Sequence, residues 1–456
     1  MKLLMGIYFY PRGGSAQVCR SIARELGRNG VEVTLLAGSR SDLGETALAA
    51  AFYDGLDLRA VDFTPALRSP DPVRYPGGPW AAPMHGSYED RPGAPDPVLA
   101  RLDDEELELQ VESWAAALKA AAAAGVDALY LHHLTPLNEA AARVLPGVPV
   151  VGHVHGTELL MLERIEAGPP PGWTHAEKWA ERIRGWGAAC ERIVVNDPAG
   201  LARAAALVRL EEERFVCIPN GFDDVFSPGS VDRRAHWRRH LVERPRGWKP
   251  GGPPGSVAYV EGDLDALEGV VLLAVGRFTE VKRLPLLIEA FAEAQAQLAE
   301  PAALVLVGGH PGEWEGEHPY DAVARTGARD VFLAGWHGHG ELPAFLRAAD
   351  LLVHASVREQ FGAVLIEAMA CGLPVIAVGR GGPATIVGDS GAGWLIEPDD
   401  RPALTAAIVA AASQREERAR RGSLAREHAL ASYSWSRIGS GLAQVIRAAG
   451  RRASAG

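Results

Sequence analysis

The stretch VVLLAVGRFTEVKRLPLLIEAFAEAQAQLA, residues 270–299, joins an apolar run to a helical pattern through a short polar loop. The run VVLLAVG shows no polar alternation, which predicts a strand buried on both faces of a sheet. The segment LPLLIEAFAEAQAQLA predicts a helix that covers one of those faces. Units in which a strand is followed by a helix are typical of parallel α/β sheets.

The same alternation extends along most of the chain in both directions. The first half contains the strand-like runs LLMGIYFY, VEVTLLAG, DALYLHHL, VPVVGHVHG, RIVVND and RFVCIPN, and the second half adds ALVLVGG, VFLAGW, LLVHAS, PVIAVG and GWLIE. The pattern predicts an α/β protein with two doubly wound Rossmann-like domains. We expect an N-terminal domain over 1–224, a linker or insertion over 225–268, a C-terminal domain over 269–435 and a C-terminal helix over 436–456 that packs back on the N-terminal domain.

Two long segments depart from this alternation. Residues 228–267 contain RRAHWRRHLVERPRGWKPGGPPGS, which is basic and then rich in proline and glycine. That composition predicts a linker or a surface insertion. Residues 65–97 are also dense in proline and glycine, and so long a loop is either a functional loop over an acceptor or a disordered excursion.

Composition narrows the class of protein. The chain has 456 residues, of which 47% are hydrophobic and 23% charged, and its net charge of −11 argues against a general nucleic-acid-binding surface. The four cysteines form no C-x-x-C pair, so they indicate neither a zinc site nor a disulfide framework. The N-terminal apolar run is too short for a signal peptide, and no stretch is long enough to span a membrane. We therefore expect a cytoplasmic protein.

The stretch EQFGAVLIEAMACGLPV, residues 359–375, predicts a ligand site on a helix. Gly362 stands where the helix should begin, and the free N–H groups of a helix start favour phosphate. Glu359 and Glu367 are eight residues apart, which is about 12 Å along a helix. Such a pair can bind hydroxyls at opposite ends of a nucleotide sugar, and the small residues around Glu367 leave room for a ribose. The alternative is a solvated pair of glutamates.

Two further positions suggest phosphate binding. Arg277 and Lys282 follow the strand VVLLAVG, and cations at a strand end of an open α/β sheet can neutralise a diphosphate, although surface cations are common in loops. Gly13 and Gly14 precede the first helix in YPRGGSAQ, which predicts a second phosphate-facing turn. The pattern G-x-G-x-x-G does not occur there, so a dinucleotide cofactor is not predicted.

The stretch GHVHGTE follows the strand VPVV and places His153 and His155 on the same side of it. A metal site would need a third ligand, for which Glu158 and His132 or His133 are the candidates. The alternatives are a hydrogen-bonded histidine at the strand end and a histidine that contacts a sugar.

In this order, the motifs resemble the retaining GT-B glycosyltransferases of family 4, also called glycosyl transferases group 1. The resemblance covers nearly the whole chain and is strongest in VGRFTEVK, LVLVGG, EQFGAVLIEAMACGLPVIAVGRGG and GWLIEPDD. It implies a GT-B fold whose two domains face a central cleft. Its implied donor site consists of the diphosphate-binding cations, the sugar- and ribose-binding glutamates, a glycine turn and the residues around the helix start: Arg277, Lys282, Glu359, Glu367, Gly13, Gly14, Phe361 and Gly362.

The resemblance also implies a reaction. A sugar would pass from a nucleoside diphosphate to an acceptor hydroxyl with retained configuration, with no metal and no cofactor, and His155 would contact the sugar as a catalytic residue. The acceptor would be a small molecule, a glycan or a lipid-linked molecule and not a nucleic acid, while the basic face Arg20, Arg24 and Arg28 does not by itself indicate a membrane contact. The alternatives are a GT-B epimerase or phosphorylase, or a non-catalytic protein that binds nucleotide sugars.

Three positions depart from the family pattern. Arg283 stands where a glycine usually follows the lysine, Ala355-Ser356 replaces a Pro-Ser pair, and Thr385 replaces a common acid. These departures concern the choice of donor and its positioning. Uridine, guanosine and adenosine donors are all compatible with the motifs.

Overall fold

The computed structural model describes residues 1–45, 47–78, 80–90, 94–359 and 361–453. The chain forms two compact units, one comprising Met1–Asn220 with Trp435–Gly456 and the other comprising Gly221–Ser434. Among the helices of the described ranges, none combines the length and the apolar character needed to cross a bilayer.

Each unit is built on a parallel sheet. The strands are β1 (Lys2–Ile7), β2 (Glu32–Ser39), β3 (Asp57–Asp62), β4 (Ala128–His132), β5 (Val150–His153), β6 (Arg192–Val195), β7 (Phe215–Cys217), β8 (Val270–Val275), β9 (Ala302–Val307), β10 (Val331–Gly335), β11 (Leu351–His354), β12 (Val375–Val378) and β13 (Gly393–Ile396). Their order is β3-β2-β1-β4-β5-β6-β7 in the first unit and β10-β9-β8-β11-β12-β13 in the second.

Helices connect the strands of each sheet. They are α1 (Gly14–Arg28), α2 (Ala49–Phe52), α3 (Thr64–Leu67), α4 (Asp104–Ala121), α5 (Pro136–Val144), α6 (Thr157–Glu166), α7 (Ala176–Ala189), α8 (Leu201–Val208), α9 (Arg233–Trp237), α10 (Leu284–Gln295), α11 (Pro319–Thr326), α12 (Leu342–Ala348), α13 (Ala363–Ala370), α14 (Gly382–Val387), α15 (Arg401–Ser413), α16 (Arg415–Tyr433) and α17 (Trp435–Ala453). The strands between these helices are buried along most of their length, which is why their sequences are continuous apolar runs.

The predicted fold class, two doubly wound Rossmann-like sheets, is confirmed. Every strand-like run in the sequence contains a strand of the structure, but β3 was not predicted. Its sequence, DLRAVD, is charged because β3 lies at the edge of the sheet, where only part of the strand is buried. Hydrophobic periodicity is weak in such a strand.

The segment predicted as a linker or surface insertion lies within the second unit and contributes to its core. It contains α9, which continues as a π-helix over Arg238–Glu243, and a 3₁₀ helix over Glu261–Glu268. Trp237, Leu241 and Trp248 are each 1% exposed. The basic residues that made the segment look like a linker lie on the outer side of these helices, where Arg234 and Arg238 pair with Glu261.

The proline-rich segment over 65–97 packs against the first unit, so the disordered alternative is wrong for its described part. Ala82, Met84, His85 and Tyr88 are buried, and the Tyr88 hydroxyl donates to the carbonyl of Leu134 at 2.6 Å. Pro79 and residues 91–93 of this prediction lie outside the described residues.

The strand order of the second sheet decides which loops become neighbours. β8 pairs with β9 on one side and with β11 on the other, so the direction of winding reverses between β8 and β11. In open α/β sheets ligands bind at the carboxyl ends of the strands at such a reversal. A ligand site is therefore expected in the loops that follow β8 and β11.

Candidate functional site

Lys282 and Glu359 meet at the carboxyl ends of β8 and β11. The Nζ of Lys282 lies 2.5 Å from Oε2 of Glu359, and Nε2 of His354 lies 3.1 Å from the same oxygen. His354 ends β11, whereas Lys282 ends a 3₁₀ turn in the loop after β8. Gly276 gives the lysine side chain room, because a β-carbon there would lie 3.3 Å from Lys282 Cε.

Glu359 is ionised in this setting. Burial by itself raises the pKa of a carboxyl group, but here the His354 hydrogen bond and the Lys282 charge outweigh it and lower the pKa of Glu359 to about 2. Burial also lowers the pKa of His354, which keeps that imidazole neutral. The arrangement holds one negative charge beside one positive charge, with both side chains about one-fifth exposed.

This pKa shift predicts a dependence of stability on pH. Because the pKa of Glu359 is depressed from 4.5 to about 2, its stabilising contribution is present above pH 4.5 and is lost as the pH falls toward 2. Between pH 5 and pH 3, wild-type protein should therefore lose more unfolding free energy than Glu359→Gln. Urea denaturation at a series of pH values measures this difference, and parallel pH profiles would contradict it.

Glu367 is buried in α13, with 8% of its surface exposed, and has a partner that is distant in sequence. The Nε2 of His339, in the loop before α12, lies 2.8 Å from Oε1 of Glu367. The expected 12 Å separation assumes that both glutamates lie on one helix, whereas α13 begins at Ala363 and Glu359 lies before it. The two glutamates therefore reach the site from a loop and from a helix.

The start of α13 meets the requirements for an anion site. Gly362 precedes the helix with φ 96° and ψ 52°, a left-handed conformation that glycine adopts readily, and no side chain caps the helix. The first turn contains no acidic residue. Leu365 donates its N–H to the carbonyl of Gly362 at 2.9 Å, whereas the N–H groups of Ala363 and Val364 precede the first helical hydrogen bonds and can bind phosphate oxygens.

Phe361, directly before Gly362, packs closely against the start of α14. A β-carbon on Gly382 would lie 2.2 Å from the carbonyl oxygen of Phe361. The side chain of Phe361 itself is 6% exposed and packs edge-on against Tyr433, with ring centroids 6.0 Å apart. The family resemblance implies that Phe361 lies at the donor, whereas its ring lies in the core and only its backbone remains for a ligand.

Gly382→Ala should destabilise the second unit and displace the backbone of Phe361. Overpacking of this kind typically costs about 1–3 kcal/mol. Gly379→Ala is a matched control three residues away, because its β-carbon would meet its nearest atom, the carbonyl oxygen of Ile396, at an ordinary 3.5 Å. Urea denaturation of both variants measures the difference, and equal stabilities would contradict the packing argument.

Arg277 and Arg283 flank Lys282 but differ in their surroundings. The guanidinium of Arg277 is exposed and has no hydrogen-bond or ion-pair partner in the described part of the chain. Arg283 binds Asp399, with Nε 2.6 Å from Oδ1. Its φ of 53° lies in the left-handed region, which explains why a glycine suits this position in the family pattern.

In the first unit, Gly13 and Gly14 form an open turn at the start of α1. Gly13 has φ 116°, and no atom lies within 4 Å of a β-carbon built on either glycine. The backbone is therefore accessible to a ligand at the carboxyl end of β1, beside the strand reversal between β1 and β4. These two glycines belong to the first unit, whereas Arg277, Lys282, Glu359, Gly362 and Glu367 belong to the second.

His155 lies in a cluster of histidines in the first unit. Its Nε2 is 2.9 Å from Nδ1 of His132, and its ring stacks on that of His153 with centroids 4.2 Å apart. The stacking places His153 and His155 on the same side, although β5 ends at His153 and His155 lies in the following loop. Burial is the main reason that the pKa of His155 is well below its usual range. The imidazole is therefore neutral.

Glu158, one of the residues considered as a metal ligand, is engaged elsewhere in this cluster. Its carboxylate lies 3.3 Å from Nδ1 of His133 and accepts the backbone N–H of His155 at 3.2 Å. Burial opposes ionisation of Glu158, but His133 and these hydrogen bonds lower its pKa. Its contacts position the loop that carries His155.

Two Rossmann-like units in one chain are the architecture of the GT-B fold. The cations, carboxylates and uncapped helix start lie at the strand reversal of the second unit. The family model described as "Glycosyltransferase Family 4" matches residues 12–226. The family model described as "Glycosyl transferases group 1" matches residues 264–428. The chain belongs to the group 1 glycosyltransferases with a GT-B fold. The segment between residues 226 and 264 lies outside both matches.

Similar proteins support this membership. A D-inositol 3-phosphate glycosyltransferase from Salinispora arenicola is 36% identical over 39% of this chain and 41% of its own length. The protein of that name from Saccharomonospora viridis is 34% identical over 66% of this chain and 65% of its own length. The chain thus matches less than two thirds of either relative.

Solved structures show the same fold at low sequence identity. Sucrose-phosphate synthase from Thermosynechococcus elongatus is 19% identical, with a TM-score of 0.67 over 98% of both chains. Anabaena HepE in complex with UDP-glucose is 18% identical, with a TM-score of 0.64 over 98% of this chain and 100% of its own.

Proposed function

We propose that this group 1 glycosyltransferase transfers a sugar from a nucleoside-diphosphate sugar to an acceptor hydroxyl, with retained anomeric configuration and no divalent metal at the diphosphate. The observation that carries the proposal is the arrangement at the strand reversal of the second sheet. Two cations, Arg277 and Lys282, follow β8, while an ionised Glu359 and the uncapped start of α13 follow the neighbouring β11.

Each group then has one task. Arg277, Lys282 and the helix N–H groups stabilise the negative charge that develops on the departing diphosphate, so these groups supply what a metal ion supplies elsewhere. The bond between the sugar C1 and the phosphate oxygen breaks, and a bond from the acceptor oxygen to C1 forms on the same face. The acceptor proton passes to the leaving phosphate oxygen.

The two glutamates bind the two ends of the donor. Glu367 lies in α13, is held by His339 and binds the ribose hydroxyls. Glu359 is held by Lys282 and His354 and binds the sugar. UDP and UDP-glucose, bound in the solved structures of the similar HepE, are the first donors to test. The names of the curated relatives make a phosphorylated inositol the first acceptor to test.

The proposal is tested by assigning the anomeric configuration of the product. Thermal-shift screening of nucleoside diphosphates and their sugars first identifies the donor, because a ligand that binds only folded protein raises its stability. NMR of the product should then show the donor's anomeric configuration, and magnesium added to chelator-treated enzyme should not raise turnover. An inverted product, or a requirement for magnesium, would refute the mechanism. Turnover of the donor without an acceptor would favour an epimerase or a phosphorylase.

His155→Ala should bind nucleoside diphosphate almost normally but transfer sugar poorly. The imidazole lies in the first unit, and the resemblance gives it a contact with the sugar and not with the nucleotide. The loss should be about 10-fold or more, the value of one hydrogen bond to a substrate hydroxyl. Calorimetry with the nucleotide and steady-state kinetics separate the two effects, and the exposed His310→Ala is the control. A loss of nucleotide affinity equal to the loss of turnover would contradict this role.

A further inference from the structure

A second group of ligating side chains lies in the second unit, beside the segment that neither family description covers. His240 lies in the π-helix Arg238–Glu243, and His337 and Glu341 lie in the loop between β10 and α12. One ligand atom from each of these three residues lies within 4.8 Å of the other two. Helix 238–243 and this loop are far apart in sequence, so their packing creates the cluster.

We propose that His240, His337 and Glu341 bind a divalent transition metal, with Zn²⁺ as the best-suited ion. Two imidazoles and a carboxylate form a common ligand set for zinc, and water completes the tetrahedron. The site is distinct from the proposed donor chemistry and does not depend on it.

The orientation of the rings favours coordination. His337 is fully buried, and its Nε2 donates to the carbonyl oxygen of Ala334 at 3.2 Å, which leaves Nδ1 directed at Glu341 Oε1 at 3.3 Å. A backbone carbonyl on the second nitrogen is the usual way in which proteins orient a metal-binding histidine. The rings of His240 and His337 are 4.8 Å apart at 84°, so lone pairs in the two ring planes can converge on one point.

The histidine cluster of the first unit is less suited to a metal. His132, His153 and His155 also bring nitrogens within 4.8 Å of one another, but the His153 and His155 rings stack at an angle of 23°. Lone pairs in nearly parallel planes do not converge. Both nitrogens of His153 are moreover engaged, one with the Tyr130 hydroxyl at 2.7 Å and the other with Asn196 Oδ1 at 2.6 Å.

Arg246 competes for the proposed site. Its NH1 lies 3.1 Å from His337 Nδ1 and 3.0 Å from Glu341 Oε2, so a guanidinium now neutralises the atoms that would bind the metal. The Arg246 side chain is 43% exposed and can therefore move into solvent when a metal binds. If the cluster binds a metal, removal of the Arg246 guanidinium should strengthen metal binding. If the cluster is only an ion pair between Arg246 and Glu341, removal of Arg246 would leave no metal binding.

The metal would fasten the segment that carries His240 to the loop of His337. The same loop carries His339, two residues further on, whose Nε2 bonds Glu367. Zinc would therefore restrict the position of His339. If the proposed role of Glu367 in ribose binding is also correct, zinc would raise nucleotide affinity as a secondary effect, but the metal-binding measurement does not rely on that role.

The test is metal binding by full-length, tag-free protein. Calorimetry with Zn²⁺ should give a stoichiometry of one, and Co²⁺ should give the visible absorption of a tetrahedral site. His240→Ala and Glu341→Gln should each weaken binding by about 10-fold or more, since even the partners of metal ligands contribute that much. Arg246→Ala should tighten it, and His310→Ala, on an exposed residue outside the cluster, should leave it unchanged.

Several results would overturn the proposal. Absence of stoichiometric Zn²⁺ binding in both wild-type protein and Arg246→Ala would show that the cluster is an ion-pair network. Binding that survives His240→Ala and Glu341→Gln but is lost in His153→Ala would place the metal in the first unit. Thermal unfolding of each variant without metal identifies misfolded variants, and the conservative Glu341→Gln keeps the test valid if His240→Ala is unstable.

Discussion

Lys282→Ala should lower turnover by about 100-fold or more, because removal of one preorganised electrostatic group from a transition state has an effect of this size. In the free protein the ammonium group is held 2.5 Å from Glu359, and it can bind the diphosphate as negative charge develops there. The substitution also leaves Glu359 partly buried with His354 as its remaining hydrogen-bond partner. Steady-state kinetics with a saturating donor would measure the loss.

Arg283→Ala is the matched control for this prediction. It removes a cation next to Lys282 in sequence, but one that pairs with Asp399 and is not directed at the donor. Its turnover should stay close to that of the wild type. Arg277→Ala should instead resemble Lys282→Ala, because its exposed guanidinium is available to the diphosphate. Near-normal turnover in both Lys282→Ala and Arg277→Ala would refute the proposed site.

Glu367→Gln should weaken the binding of both the bare nucleoside diphosphate and the full donor by about 10- to 150-fold. Hydrogen bonds to a charged group contribute about 1.5–3 kcal/mol, and Glu367 is proposed to accept such bonds from the ribose hydroxyls. His339 would remain beside an uncharged amide. Calorimetry with the nucleoside diphosphate alone is the decisive measurement.

Glu359→Gln should weaken the binding of the full donor but not that of the bare nucleoside diphosphate. Its carboxylate is proposed to bind the sugar, so the full donor should bind about 10- to 150-fold more weakly while the bare nucleotide keeps its affinity. Loss of the negative charge also releases Lys282 to the diphosphate, so the affinity for the bare nucleotide should not fall. If both variants lost the bare nucleotide equally, the division between the two glutamates would be wrong.

Sequence alone determined the fold class and the positions of most strands. Buried parallel strands need continuous apolar runs, and the helices between them need amphipathic faces, so both signals are local and readable. The edge strand Asp57–Asp62 was missed because exposure permits charge there. The proposed donor residues Lys282, Glu359, Gly362 and Glu367 were also found from the sequence, since each lies at a strand end or a helix start, or in a short motif around one.

Tertiary structure alone decided which side chains meet. His339 binds Glu367 from 28 residues away, and Lys282 reaches Glu359 across 77 residues, because the strand order places β8 beside β11. The same holds for His240 and His337, which come together through the packing of a segment whose composition predicted a linker. Local patterns specify the elements, but the free energy of packing whole elements sets their neighbours, and no short stretch of sequence contains that information.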